Sequence, residues 1–189
     1  MTSKTLLVWV HPVPDSYSAA LRDAALSAMT EPPEVIDLYR SGFDAAYLAG
    51  GQGQSQNEAL LSRHKAQIAD AEELLFVYPT WWDGLPAIFK SWLEQMFPDA
   101  LDRSDSQQQA RTVLRNIKRL TAVTTHGSSR WVNFVQGQAG RHILGKSLRS
   151  LCANGCQFRW IALYKIDRLS DSQRRNFLQK AAKKISAAA

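Results

Sequence analysis

The sequence predicts an α/β protein of three layers, a five-stranded parallel sheet with helices on both faces. Three observations carry that prediction. Five strand-like segments are each followed by a helix-compatible one, and strict β-α alternation argues for parallel strands. The third run, Leu74 to Tyr78, is continuously apolar rather than alternating, as a strand covered on both faces requires. At 189 residues, 45% of them hydrophobic and 21% charged, the chain can bury one sizeable core. We therefore expect a single domain over residues 1–189. Right-handed crossovers favour strand order 2-1-3-4-5.

Thr5 to Val10 (TLLVWV) reads as the first strand. Pro12 and Pro14 then forbid a ladder, and Asp15 or Ser16 can cap the next helix. Tyr17 to Met29 is that first helix, with Leu21, Ala25 and Met29 at four-residue spacing. Glu34 to Leu38 is the second strand, entered through Pro32-Pro33. Arg40 to Asn57, with Gly50-Gly51-Gln52-Gly53-Gln54 at its centre, reads as a long flexible loop. Glu58 to Ala71 is the second helix. Leu74 to Tyr78 is the third strand, and Pro79 ends it because proline cannot donate to a ladder. Pro86 fits the first turn of a third helix over Leu85 to Phe97, where its missing N–H costs nothing. Pro98 to Gln109 is a second polar loop. Ile117 to Thr125 contains the fourth strand, Gln138 to Cys152 a helix interrupted by Gly140 and Gly145, and Gln157 to Tyr164 the fifth strand. Ser170 caps a last helix that runs to about Ser186, with Phe177, Leu178, Ala181 and Ile185 as its apolar side.

The totals exclude several classes. No apolar run approaches the ~20 residues that span a bilayer. The run Leu6 to Val10 is too short for a signal sequence, which places the expected location in the cytosol. Cys152 and Cys156 have C-x3-C spacing, not the redox C-x-x-C, and read as reduced, mostly buried thiols. His11, His64, His126 and His142 show no H-E-x-x-H spacing, so no metal site is expected. The net charge of +6 divides unevenly. Residues 1–95 carry 6 Lys+Arg against 12 Asp+Glu, and residues 96–189 carry 17 against 5. The basic residues are scattered, as on a solvated face. A phosphorylated cofactor is the next reading, and nucleic acid the last, for want of a binding motif.

In the expected topology three loops meet at the carboxyl ends of the strands, where open α/β sheets bind ligands. His11 to Ser18 opens a helix whose free N–H groups can hold a phosphate, with hydroxyls and an imidazole beside them. No glycine-rich fingerprint accompanies it, which argues against a Walker loop or a dinucleotide Rossmann turn. Pro79 to Gly84 offers Trp81 and Trp82, compatible with core packing or with contact to a flat ligand; their place on a loop beside Gly84 favours contact. Thr124-Thr125-His126-Gly127-Ser128 offers hydroxyls, backbone N–H groups and an imidazole. Together they describe an apolar slot with polar edges and a phosphate seat, which suits FMN or FAD.

The same residues resemble the flavodoxin-like NAD(P)H:quinone oxidoreductases, the family of DT-diaphorase and the potassium-efflux ancillary reductases. His11-Pro12 with Ser16-Tyr17-Ser18 and Ala20-Leu21 resembles that family's first flavin loop. Tyr78-Pro79-Thr80-Trp81-Trp82, Leu85-Pro86-Ala87 and Lys90-Ser91-Trp92 resemble its F-P-x-x-W signature and the helix start beyond it. Thr124-Thr125-x-Gly127 resembles its T-T-G-G turn, here with His126 before a single glycine. The resemblance runs from the first strand through the fifth and implies a flavodoxin-like fold and a homodimer. It implies that His11, Ser16, Tyr17 and Ser18 hold the flavin phosphate and ribityl chain, that Pro79, Thr80, Trp81 and Trp82 line the ring system, and that Thr124, Thr125 and Gly127 bond its polar edge. The downstream Tyr and His that close the DT-diaphorase site have no clear counterparts after Arg130-Trp131.

The expected function is thus an NAD(P)H-dependent flavin oxidoreductase with FMN, or alternatively FAD. It passes hydride from NAD(P)H through the flavin to a quinone or similar acceptor. His126 is the candidate catalytic group, as proton donor or hydrogen-bond partner. Two other readings stand beside this one. The first is a flavodoxin-type electron carrier, although such carriers are usually acidic and this chain's isoelectric point is about 9.5. The second is a regulatory subunit in peripheral association with a membrane transporter.

Overall fold

The computed structural model describes residues 4–46, 54–98 and 111–186. Five strands, β1 (Thr5–Trp9), β2 (Glu34–Asp37), β3 (Glu73–Pro79), β4 (Arg119–Thr125) and β5 (Gln157–Leu163), form one sheet of order β2-β1-β3-β4-β5. Every pair is parallel. The expected order is therefore the observed one.

Alternation along each strand divides the core in two. Leu6, Val8, Phe76, Tyr78, Leu120 and Ala122 face one side, where α2 (Gln54–Ala69) and α3 (Ala87–Met96) supply Leu61, Ile68, Phe89 and Trp92. Leu7, Trp9, Leu75, Val77, Val123 and Ile161 face the other, covered by α1 (Tyr17–Ser27) and the C-terminal helix through Ala19, Leu21, Ala25, Ala181 and Ile185. β3 is buried at all seven positions, which explains its unbroken apolar run. Pro79 closes β3 as expected. The next residue resumes pairing, its amide donating to the Thr125 carbonyl at 2.8 Å.

Several boundaries differ from expectation. Helix α2 begins at Gln54, four residues before the expected Glu58; the glycine-rich centre of the preceding loop lies outside the described residues, as does nearly all of 98–109. Pro86 caps α3 rather than sitting inside it, and its carbonyl accepts from Phe89 and Lys90. The expected helix over 138–152 is not one helix. It is a turn of α-helix, α5 (Ala139–His142), then a π-helical segment (Ile143–Leu148) and a 3₁₀ turn (Arg149–Leu151). Gly145 explains the widened winding. A Cβ there would lie 2.5 Å from Cε1 of Phe158 on β5, so the segment presses its backbone directly onto an aromatic ring.

Helix α4 (Arg130–Val135) lies outside the expected set. Ser129 caps it, its Oγ accepting from the Val132 amide at 3.2 Å. Its signal is present in the sequence, a cap ahead of Trp131, Phe134 and Val135 at helical spacing, but those residues face outward. The last helix, α6 (Asp171–Ser186), starts as expected at Ser170, which forms a reciprocal box with Gln173. Both cysteines are free thiols, Cys156 buried and Cys152 partly so. No helix among the described residues is long and apolar enough to cross a membrane.

Candidate functional site

The loops after β1, β3 and β4 come together at the carboxyl edge of the three central strands. His11 and Trp81 face each other across the crevice with ring centroids 6.2 Å apart and planes tilted by 59°.

The β1 loop ends in a capped helix. Ser16 has extended backbone (φ −76°, ψ 162°), and its Oγ accepts from the Ala19 amide at 3.2 Å. The other amides of the first turn remain available to an anion. Ser18, 4% exposed, has an Oγ with no partner. Nδ1 of His11 lies 3.0 Å from the Val13 amide and 3.1 Å from the Val13 carbonyl. Accepting from the amide places the ring proton on Nε2. Tyr17 is placed differently from its neighbours: its hydroxyl donates to the Arg174 carbonyl on α6 at 2.8 Å, and burial pushes its pKa up to about 12. The Tyr17 hydroxyl therefore fastens α1 to α6.

The β3 loop is a tight reverse turn. Trp81 and Gly84 exchange two backbone hydrogen bonds, and Trp82 and Asp83 between them both have positive φ (48° and 57°). That is the pattern of a type I′ turn, whose two central positions usually go to Asn and Gly. A tryptophan and an aspartate held there cost about 1–3 kcal/mol each, which a site can store for a purpose. The turn separates the two tryptophans. Trp81 is 41% exposed and leans toward His11, whereas Trp82 is fully exposed. Trp81 is the wall of the crevice and Trp82 stands outside it. Beneath the turn, α5 approaches so closely that a Cβ on Gly140 would sit 3.3 Å from the Tyr78 hydroxyl, which is buried and unpartnered.

The β4 loop stacks hydroxyls under an imidazole. Thr124 Oγ1 lies 2.8 Å from Thr80 Oγ1, and Thr80 Oγ1 lies 3.4 Å from His126 Nε2. The His126 ring is 4% exposed and stacks on Tyr164, centroids 4.7 Å apart and planes 17° off parallel. Burial holds its pKa below the ordinary histidine value; the Asn133 side chain and the Asp83 carboxylate oppose that shift. The ring is thus neutral at pH 7. The loop after β5 braces this one, Lys165 and Ile166 donating to the Ser128 and His126 carbonyls. Gly127 lies against this brace, 3.2 Å separating the position of a Cβ from Asp167 Oδ2. Tyr164, Asp83 and Asn133 belong to the site's surroundings and are not singled out by the sequence. Their roles depend on the stack of His126 on Tyr164, on a positive φ at Asp83 and on helix α4, whose apolar side chains face outward.

Around the crevice the surface is unusually apolar. Trp82, Trp131, Phe134 and Val135 are 66–103% exposed, and Trp131 stacks on Phe134. An apolar cavity of about 270 Å³ also exists between α3 and the π-helical segment, lined by Leu93, Phe97, Ile143 and Leu148. It lies on the flank of the sheet and shares no residue with the three loops.

A family model described as a flavodoxin-like fold matches residues 3–189. The chain belongs to that family. Among curated proteins it is 25% identical over 148 residues to NAD(P)H dehydrogenase [quinone] 1 of Cavia porcellus, which covers 66% of this chain and 54% of that protein. The chain thus spans about half the length of that relative. The NAD(P)H:quinone oxidoreductase from Methanothermobacter marburgensis superposes with a TM-score of 0.77 at 20% identity, covering 100% of this chain and 96% of that one. An FMN-dependent NADH-azoreductase from Bacillus anthracis, solved in complex with FMN, superposes with a TM-score of 0.72 at 14% identity, covering 99% of each chain. At these identities the structural matches establish the fold.

Proposed function

We propose that the protein is an NAD(P)H-dependent flavin oxidoreductase that works as a homodimer and passes hydride through FMN to a quinone. The observation that carries this reading is the set of buried polar atoms left without partners at the carboxyl edge of the sheet. Ser18 Oγ, at the start of α1, and Asp83 Oδ1, in the β3 turn, are of this kind. Native proteins leave few such atoms, because each costs about 1–3 kcal/mol. Such atoms beside the switch point of a doubly wound sheet fit a polar-edged ligand. The named functions of the relatives agree with a flavin and a quinone.

A bound flavin supplies reversible hydride acceptance at one ring nitrogen. The rest falls to this chain's residues. The open amides of α1, with Ser16, Ser18 and His11, would seat the phosphate and ribityl chain through charge-assisted hydrogen bonds. Pro79, Thr80 and Trp81 would line the ring system. The Thr124, Thr125 and Gly127 segment would bond its polar edge, where backbone amides favour the extra negative charge of reduction. His126 is the hydrogen-bond partner of Thr80: neutral, buried and stacked, it fixes where the Thr80 hydroxyl points. The exposed apolar residues of α4, Trp131 stacked on Phe134 with Val135 beside them in sequence, are the surface for a second copy, since exposed apolar patches mark interaction sites. Covering it would close the outer side of the crevice and exclude water.

The test is to purify the protein, identify any flavin by absorbance and chromatography, and follow NADH and NADPH oxidation with a benzoquinone. The expected result is a yellow, FMN-loaded dimer that oxidises at least one nucleotide. A colourless protein that takes up no added flavin and oxidises neither nucleotide refutes the reading.

A further inference from the structure

We propose that Arg40, on the turn after β2, is a positioning residue for the phosphate seat: it holds the Pro12 carbonyl turned away from the anion. This rests on the flavin reading above. The Arg40 guanidinium donates from Nη2 to the Pro12 carbonyl at 3.1 Å and from Nη1 to Asp37 Oδ2 at 3.0 Å. The Arg40 amide donates to Asp37 Oδ1 at 3.3 Å, and the guanidinium lies 5.3 Å from the centroid of the buried Trp9 ring. A second cation, Arg22, lies 4.1 Å from that centroid and is itself paired with Asp23. Arg40 therefore spans 28 residues of sequence to reach the first loop.

The geometry has a chemical reason. A phosphate seat must present N–H groups and keep carbonyl oxygens away. Pro12 has no N–H, so its carbonyl is its only backbone hydrogen-bonding group. Left free, that oxygen could turn toward the seat and repel the anion. Arg40 engages it from the β2 side, and the Asp37 carboxylate and the Trp9 face fix the plane of the guanidinium while it does so. A lysine cannot reproduce this planar, two-headed arrangement.

Charge attraction and tethering predict opposite results at Asp37. Removing the carboxylate by Asp37→Asn takes away a negative charge, which by attraction alone tightens binding of an anion. If Asp37 serves to hold Arg40 in place, the same change weakens it. The measurement is the FMN dissociation constant of the wild type, Arg40→Ala, Arg40→Lys and Asp37→Asn by fluorescence quenching. Hydrogen exchange of the flavin-free proteins over residues 11–16 accompanies it, with their melting temperatures as a control for folding. The expected result is a dissociation constant raised about tenfold in Arg40→Ala, as for the loss of one charge-assisted hydrogen bond. Arg40→Lys should give little rescue, Asp37→Asn should weaken binding, and residues 11–16 should exchange faster in all three. Affinity and exchange within about twofold of a flavin-binding wild type, or tighter binding by Asp37→Asn, overturn the tether alone. A wild type that binds no FMN overturns both the tether and the flavin reading.

Discussion

His64 gives the best-defined response to pH. It sits on α2 with 1% of its surface exposed, and its Nδ1 accepts from Trp92 Nε1 at 3.1 Å. An acceptor Nδ1 puts the single ring proton on Nε2, so the native state requires the neutral ring. Burial, helped by the Arg63 charge, lowers its pKa from 6.5 to about 4. Between those two values the unfolded chain binds a proton that the native chain does not, so stability is present at neutral pH and lost as pH falls. A difference of that size corresponds to about 2 kcal/mol lost by pH 5 and about 3 kcal/mol by pH 4. The perturbation is His64→Gln, which keeps an acceptor for Trp92 and removes the titration. Urea unfolding of both proteins at half-unit steps from pH 7 to pH 4 gives the comparison. The wild type should lose stability more steeply than the variant, the gap growing below pH 6.5 to about 3 kcal/mol at pH 4. Parallel curves would refute the reasoning. His126 adds a loss of the same sign, common to both proteins, and so cancels in the comparison.

Other expectations come from single contacts. Gly145→Ala should cost about 1–3 kcal/mol in chemical unfolding, because its Cβ meets the Phe158 ring, and Phe158→Leu in the same chain should recover part of that. Ser18→Ala should weaken FMN binding about tenfold in a fluorescence titration while leaving the melting temperature of the flavin-free protein unchanged or higher, since a buried unpartnered hydroxyl is removed. Trp131→Glu should shift the mass measured by light scattering from dimer to monomer, since it puts a charge into the exposed aromatic cluster; a monomeric wild type would refute the interface.

How much is legible in the sequence depends on which physical signal a feature leaves. The central strand β3, buried on both faces, leaves a continuous apolar run; the edge strands β2 and β5 are partly exposed and are placed by β-α alternation, with the order coming from crossover handedness. Pro79 and Ser170 mark boundaries through local chemistry, and both do so in the structure. The segment over 138–152 reads as a single helix because π and 3₁₀ winding have no sequence period of their own; the close approach of Gly145 to Phe158, thirteen residues later, decides it. Helix α4 escapes notice because its apolar residues point outward, so the usual equation of apolar spacing with a core-facing stripe does not apply. The three loops of the candidate site are legible as a set, since topology alone brings them together. The division of labour between Trp81 and Trp82 is not, because it arises from two positive φ angles at residues that rarely adopt them. The resemblance names Tyr17 among the residues of the phosphate and ribityl region; that its hydroxyl bonds to residue 174 is visible only in three dimensions.

That last bond has a consequence for how the protein is made. Tyr17 opens the helix that would seat the phosphate, and its hydroxyl is fastened to a carbonyl on α6, the last described helix to leave the ribosome. The β1 loop and the sheet around it can form during synthesis with the first turn of α1 held by its Ser16 cap, and the Tyr17 bond is added only when residue 174 has been translated and docked.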